Sequence, residues 1–182
     1  MRRIAIALVH YPVLDGQGAT VTSAITNLDV HDLSRSARTY GCSDYFIVHP
    51  IEAQRALVTR ITEHWTHGSS SKRIPARKEA LALVRLVPTL DEAYVAMGGR
   101  EAIDVWSTAA RASEHVLTFE AARRVESDRP LLILFGTAWG LTQEVLAQCD
   151  ARLEPIHAKT DSGYNHLSVR SACAITLDRL LG

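Results

Sequence analysis

Cysteine is scarce in this 182-residue chain, which has only Cys42, Cys149 and Cys173, an odd number without C-x-x-C spacing. That scarcity excludes a disulfide framework and a cysteine-based zinc site, and it makes a reducing, cytoplasmic setting the expectation. Long apolar runs are missing too. The stretch from Ile4 to Val9 is cut off by His10 and Pro12, too soon for a signal-peptide core or a membrane span. Charge of one sign is absent, since 20 Lys and Arg balance 20 Asp and Glu. No global field therefore draws the chain to a polyanion, and a nucleic-acid partner would need a local basic patch. The eight histidines show no H-E-x-x-H or paired-ligand spacing, so no metal is expected. There is no G-x-S-x-G elbow for serine chemistry.

What is present is an ordinary packed composition, 47% apolar and 22% charged, sized for one domain over residues 1–182. The order of elements is more informative. Short apolar runs of the kind that form strands covered on both faces occur before His10, over Asp44–His49, over Ala102–Trp106 and over Leu131–Phe135, with a shorter one at Arg152–Glu154. Helical patterns lie between them. They cover Leu28–Tyr40, stopped by Gly41, then Pro50–Trp65, Glu79–Val87, Asp91–Met97, Phe119–Val125 behind a Thr118 cap, Leu141–Ala147 and Leu167–Leu181. Strands alternating with helices predict an α/β fold, a mostly parallel sheet with helices on both faces.

In such sheets ligands sit beyond the carboxyl ends of the strands. Three loops qualify: Ser107–Arg111 with Thr108, Phe135–Thr142, and Pro155 through Ser168. In the second, Gly136 and Gly140 bracket a turn where missing Cβ atoms allow a close approach, or simply a tight turn. The turn ends in neither the Walker lysine nor the dinucleotide fingerprint, which leaves a nucleoside-like ligand held by backbone groups open. Asn165 and Ser168 are suited to capping the last helix. His166 beside Asn165 could bind or move a proton. On the first helix, Arg35 and Arg38 share a face with Asp32 one turn earlier. They either pair with it or leave Arg35 to grip a phosphate. Lys72, Arg73, Arg77 and Lys78 make one polar loop the most basic segment, either a solvated loop or a contact for an anionic polymer.

These segments together resemble the SPOUT class of S-adenosylmethionine-dependent RNA methyltransferases. Asn27 and Arg35–Gly41 are similar to the first motif of the SpoU-like ribose methyltransferases, Leu134–Thr142 to the second, and Pro155–Ile156 with Asn165–Ala172 to the third. Leu8–Val13, Thr26–Asp29 and Tyr164–Ser171 are also similar to a compact bacterial SPOUT family sometimes fused to a tRNA guanine-N1 methyltransferase. Ala138 stands where the second motif usually carries Glu, and the usual Asn of the third is displaced to Asn165 or replaced by His166.

The resemblance implies a deep C-terminal trefoil knot, a homodimer that completes each site, and S-adenosyl-L-methionine as cofactor. It implies cofactor contacts from Thr108, Phe135, Gly136, Thr137, Gly140, Ile156, Asn165, Leu167 and Ser168, and catalytic roles for Arg35, His166 and Asn27. The implied activity is methylation of a ribose 2′-hydroxyl in tRNA or rRNA. A guanidinium stays protonated and is a poor base, so Arg35 is assigned to an RNA phosphate and the developing alkoxide, with His166 as proton acceptor. Alternatives are a base nitrogen as acceptor, with Asp161 or His166 as base, and a non-catalytic S-adenosylmethionine- or RNA-binding module. A nucleotide-dependent α/β enzyme of another kind is a third.

Overall fold

The computed structural model describes residues 2–67, 73–110, 115–158 and 163–182. Lys72, Arg111 and Asp161 lie outside them. Six strands, β1 (Ile4–Val9), β4 (Asp44–Val48), β5 (Val84–Val87), β6 (Asp104–Ser107), β7 (Leu131–Gly136) and β8 (Ala151–Arg152), form one sheet. Their order is β5-β4-β1-β7-β6-β8, and every pairing is parallel. The predicted parallel α/β architecture is what the chain adopts.

Two-residue alternation along the central strands divides the core between the faces. Ile6 and Leu8 of β1 join Ile133 and Phe135 of β7 on one face, with Leu33, Cys173 and Leu177 from helices α1 (Asn27–Thr39) and α7 (Val169–Leu181). Ala5, Ala7 and Val9 join Leu132 and Leu134 on the other, beneath Tyr94 of α4 (Leu90–Met97) and Val145 of α6 (Gln143–Ala147). Leu8 and Ile133 are wholly buried, and burial of each such side chain contributes about 1.5–3 kcal/mol. The other helices are α2 (Glu52–Thr66), α3 (Pro75–Leu81) and α5 (Phe119–Arg123). Of the predicted caps, Thr118 accepts from the Ala121 N–H and Ser168 from that of Ser171, whereas Asn165 does not cap the last helix, its amide being used on the Ala110 carbonyl and against His157.

Two segments depart from expectation. The helix predicted over 79–87 ends at Leu81, and Val84–Val87 is edge strand β5, whose Val84 and Val87 face Tyr45 and Val48 of β4. Four residues carry too little periodicity to decide. The open edge of β4 decides instead, because it offers hydrogen bonds that a frayed last helical turn lacks. The loop after β1 contains a small antiparallel pair, β2 (Val13–Leu14) with β3 (Thr20–Val21), which is tied to the loop after β7 through the Leu14 N–H to the Gly140 carbonyl, 2.9 Å.

Candidate active-site cleft

The strand order reverses between β1 and β7, and this switch point is where an open parallel sheet leaves a crevice for ligands. Register decides what lies there. Val9 pairs with Gly136 on one side and with Val48 on the other. The next residues of the three strands, Thr137, His10 and His49, therefore start their loops side by side. A cleft of about 1190 Å³ opens over this end, walled by residues 108–110, by the loop after β7 and by the segment leading into α7.

The cleft gathers Thr108, Phe135, Gly136, Thr137, Gly140, Ile156, Asn165, His166, Leu167 and Ser168 from three distant stretches of chain. A Cβ on Gly136 would lie 2.9 Å from the Leu141 nitrogen, so this turn closes only with glycine. Gly140 has φ +106°, in the region that favours glycine. Thr108 donates its hydroxyl to the Leu134 carbonyl, 2.9 Å. Asn165 ties two walls together through Nδ2, 3.3 Å from the Ala110 carbonyl, and lies as close to Nδ1 of His157. His166 is exposed and packs edge-on against Tyr164, ring centroids 5.2 Å apart.

Asn27 and Arg35 are not in this cleft. Asn27 is the exposed first residue of α1. Arg35 is exposed in a separate, shallower depression between α1 and α7, which borders the cleft at Ser168. Of the two readings of this helix face, the Asp32–Arg35 pair does not form. Arg170 reaches Asp32 at 3.4 Å and the buried Asp29 at 3.2 Å, while Arg38 pairs with Glu79 at 3.2 Å. Among the described residues, no carboxylate lies within 4.0 Å of the Arg35 guanidinium. Of the segment expected as one basic loop, Arg77 and Lys78 are instead part of α3, which starts at Pro75 where that residue favours a first helical turn; Arg77 lies over the Trp65 ring, 4.4 Å from its centroid, and Arg73 and Lys78 are exposed. Burial pushes the Cys42 thiol up to about 12 and raises the Cys173 thiol as well, so neither is a ready nucleophile.

Sequence reasoning missed the polar row beneath the cleft. His10 Nδ1 is 2.8 Å from the Ser23 hydroxyl, which is 2.5 Å from that of Thr137. Thr137 donates to the Val9 carbonyl, 3.0 Å. His49 Nε2 donates to the Ser23 carbonyl at 3.0 Å, and its Nδ1 accepts the Ile51 N–H at 3.1 Å. Burial and the neighbouring His49 hold the His10 imidazole at about 4, well below the usual histidine range. Burial lowers His49 as well. The available signal was that β1 and β4 both end in Val followed directly by His, at Val9-His10 and Val48-His49.

A parallel sheet whose switch-point cleft is lined by glycine-turn backbone and apolar side chains defines a binder of nucleoside-type ligands. A family model described as SAM-dependent RNA methyltransferase matches residues 3–182, and the chain belongs to that family. It is 44% identical over 183 residues to a protein of Oleidesulfovibrio alaskensis named tRNA (guanine-N(1)-)-methyltransferase; the match covers 100% of this chain but only 42% of that relative's length. An uncharacterised protein of Aquifex aeolicus is 40% identical, with 97% of this chain and 87% of that protein covered. Among solved structures, TrmJ from Z. mobilis superposes with a TM-score of 0.62 at 20% identity, covering 97% of this chain and 67% of that one; this likeness bears on the fold. Among the described residues, no helix is long and apolar enough to cross a membrane.

Proposed function

We propose that the chain transfers the methyl group of S-adenosylmethionine to a ribose 2′-hydroxyl of tRNA or rRNA, in the reducing cytoplasm. The observation that carries the reading is the convergence of three loops, separate in sequence, on one cleft at the switch point. The cleft suits the cofactor: Phe135, Leu141, Leu153 and Ile156 give it apolar wall, and the Gly136 turn leaves backbone where a Cβ would otherwise project. When bound, the cofactor supplies an electrophilic methyl on a positively charged sulfur. The protein's work is then positioning, since in-line placement of the acceptor supplies much of the rate. Arg35 orients an RNA phosphate and stabilises the developing alkoxide, and His166 accepts the proton at the cleft mouth.

Arg35 lies on the α1–α7 surface, outside its own chain's cleft. This position supports a homodimer in which the helix of one subunit faces the cleft of the other, with Asn27 on the same helix. Exposed Leu28 and Leu167 give that surface apolar area. The C-terminal segment leaves β8 at the sheet edge and returns as α7 against α1 and β7, a path that supports the deep trefoil knot. A second reading, methylation of a base nitrogen, draws on the name of the O. alaskensis relative.

Calorimetric titration tests the cofactor without any choice of RNA. Micromolar binding of S-adenosylmethionine and S-adenosylhomocysteine at one site per chain is the expected result, with ATP and NAD far weaker. Folded protein that binds neither sulfur nucleoside would overturn the reading. Digestion of RNA methylated by the enzyme to nucleosides then separates a ribose-methylated product from a base-methylated one.

A further inference from the structure

Every hydroxyl hydrogen in the row beneath the cleft has an assigned place. The Thr137 O–H is used on the Val9 carbonyl, which can only accept. Thr137 Oγ1 must therefore accept from Ser23, so the Ser23 O–H points at Thr137. With its one hydrogen spent, Ser23 Oγ must accept from His10, which fixes His10 as the tautomer protonated on Nδ1. Nε2 of His10 is then a bare, wholly buried acceptor, and among the described residues it has no hydrogen-bond partner.

Ser23 is also held by its backbone. Its N–H donates to the His10 carbonyl at 3.0 Å, and its own carbonyl accepts from His49. Two neutral histidines thus hold one half-buried serine at the cleft wall. Each hydroxyl oxygen has two lone pairs. One on Ser23 takes the His10 N–H, and one on Thr137 takes the Ser23 O–H. One lone pair on each remains, and no hydrogen does.

We propose that Ser23 and Thr137 form an acceptor-only subsite of the cleft that selects a ligand group bearing N–H, a primary amine or ammonium, and disfavours a carbonyl, carboxylate or phosphate. His10 is its positioning residue, because its N–H keeps the Ser23 hydroxyl turned toward Thr137. An oxygen that brings only lone pairs would meet two more, whereas an amine satisfies both. The chemistry has two sources, the ammonium of the cofactor's amino-acid end or the exocyclic amine of a nucleobase. The inference rests on the methyltransferase reading of the cleft, and the experiment separates the two.

S-adenosylhomocysteine, and 5′-methylthioadenosine, which lacks the amino-acid end, are titrated calorimetrically into wild type, Ser23→Ala, His10→Leu and His10→Asn. Asn carries its amide nitrogen on the same carbon that bears Nδ1 in histidine, so His10→Asn keeps the donor that His10→Leu loses. With S-adenosylhomocysteine at saturation, GMP is then compared with IMP, which lacks only the 2-amino group, and CMP with UMP.

If the cofactor supplies the amine, S-adenosylhomocysteine affinity falls about tenfold in Ser23→Ala and His10→Leu. It then recovers in His10→Asn, and methylthioadenosine binding is unchanged throughout. If a nucleobase supplies it, S-adenosylhomocysteine binds all four proteins alike, and wild type's preference for GMP over IMP or CMP over UMP disappears in Ser23→Ala. Folded Ser23→Ala, verified by its melting curve, that keeps both the cofactor affinity and the mononucleotide preferences of wild type overturns the proposal. So does wild type with no amine preference in either arm. Should His10→Leu fail to fold, Ser23→Ala still decides. If wild type binds no S-adenosylhomocysteine, the methyltransferase reading fails, and the mononucleotides, titrated alone, still test the subsite.

Discussion

Acid should destabilise this protein through His10, and the size of the effect follows from its burial. The side chain is wholly buried, and burial with the neighbouring His49 lowers it from 6.5 to about 4. Above pH 6.5 the imidazole is neutral in both folded and unfolded chains and contributes no slope. Between 6.5 and 4 the unfolded chain binds a proton that the folded chain refuses, so stability falls as pH falls. Below 4 both forms are protonated, and the loss levels off at about 3 kcal/mol. Urea unfolding of wild type and His10→Asn at pH 7.5, 6, 5 and 4.5 measures this term by difference, since contributions from the carboxylates and from His31, whose imidazole burial lowers as well, are common to both. Wild type should lose about 2 kcal/mol more than His10→Asn between pH 7.5 and 4.5. Parallel pH curves for the two proteins would refute the argument.

Gly136→Ala should lower S-adenosylmethionine affinity at least tenfold, measured calorimetrically, because the new Cβ would press on the Leu141 backbone 2.9 Å away. Arg35→Ala should abolish turnover on RNA while leaving cofactor affinity near wild type, a contrast read by methyl incorporation beside calorimetry; full activity would remove Arg35 from the mechanism. Arg170→Met should cost about 1–3 kcal/mol in urea unfolding, since it leaves the buried Asp29 without its cation, while Asp32 on the surface matters little. RNA binding should weaken only gently with salt, with few phosphates contacted, because the net charge is zero; a filter-binding slope steeper than about six would contradict this.

The alternation of apolar runs with helical patterns determined, from sequence alone, the parallel α/β class, the three loops whose residues meet at the cleft, and the caps at Thr118 and Ser168. Each depends on local spacing, and local spacing is what a sequence displays directly. Thr137 and Gly136 were legible for that reason, as was Ser168 at the start of α7. Strand β5 was not, because Val84–Val87 has no pattern of its own and takes its conformation from the edge of β4. Nor did spacing show that Arg170, 141 positions from the buried Asp29 it pairs with, would also take Asp32, the carboxylate offered as a partner for Arg35. The row of His49, His10 and Thr137 is the clearest case. His10 and His49 look like unremarkable residues just past the ends of strands, and only the register that sets Val9 against both Val48 and Gly136 brings them beside Thr137. Register is a property of paired strands, decided by burial and hydrogen bonding across the sheet, and so it belongs to the tertiary structure.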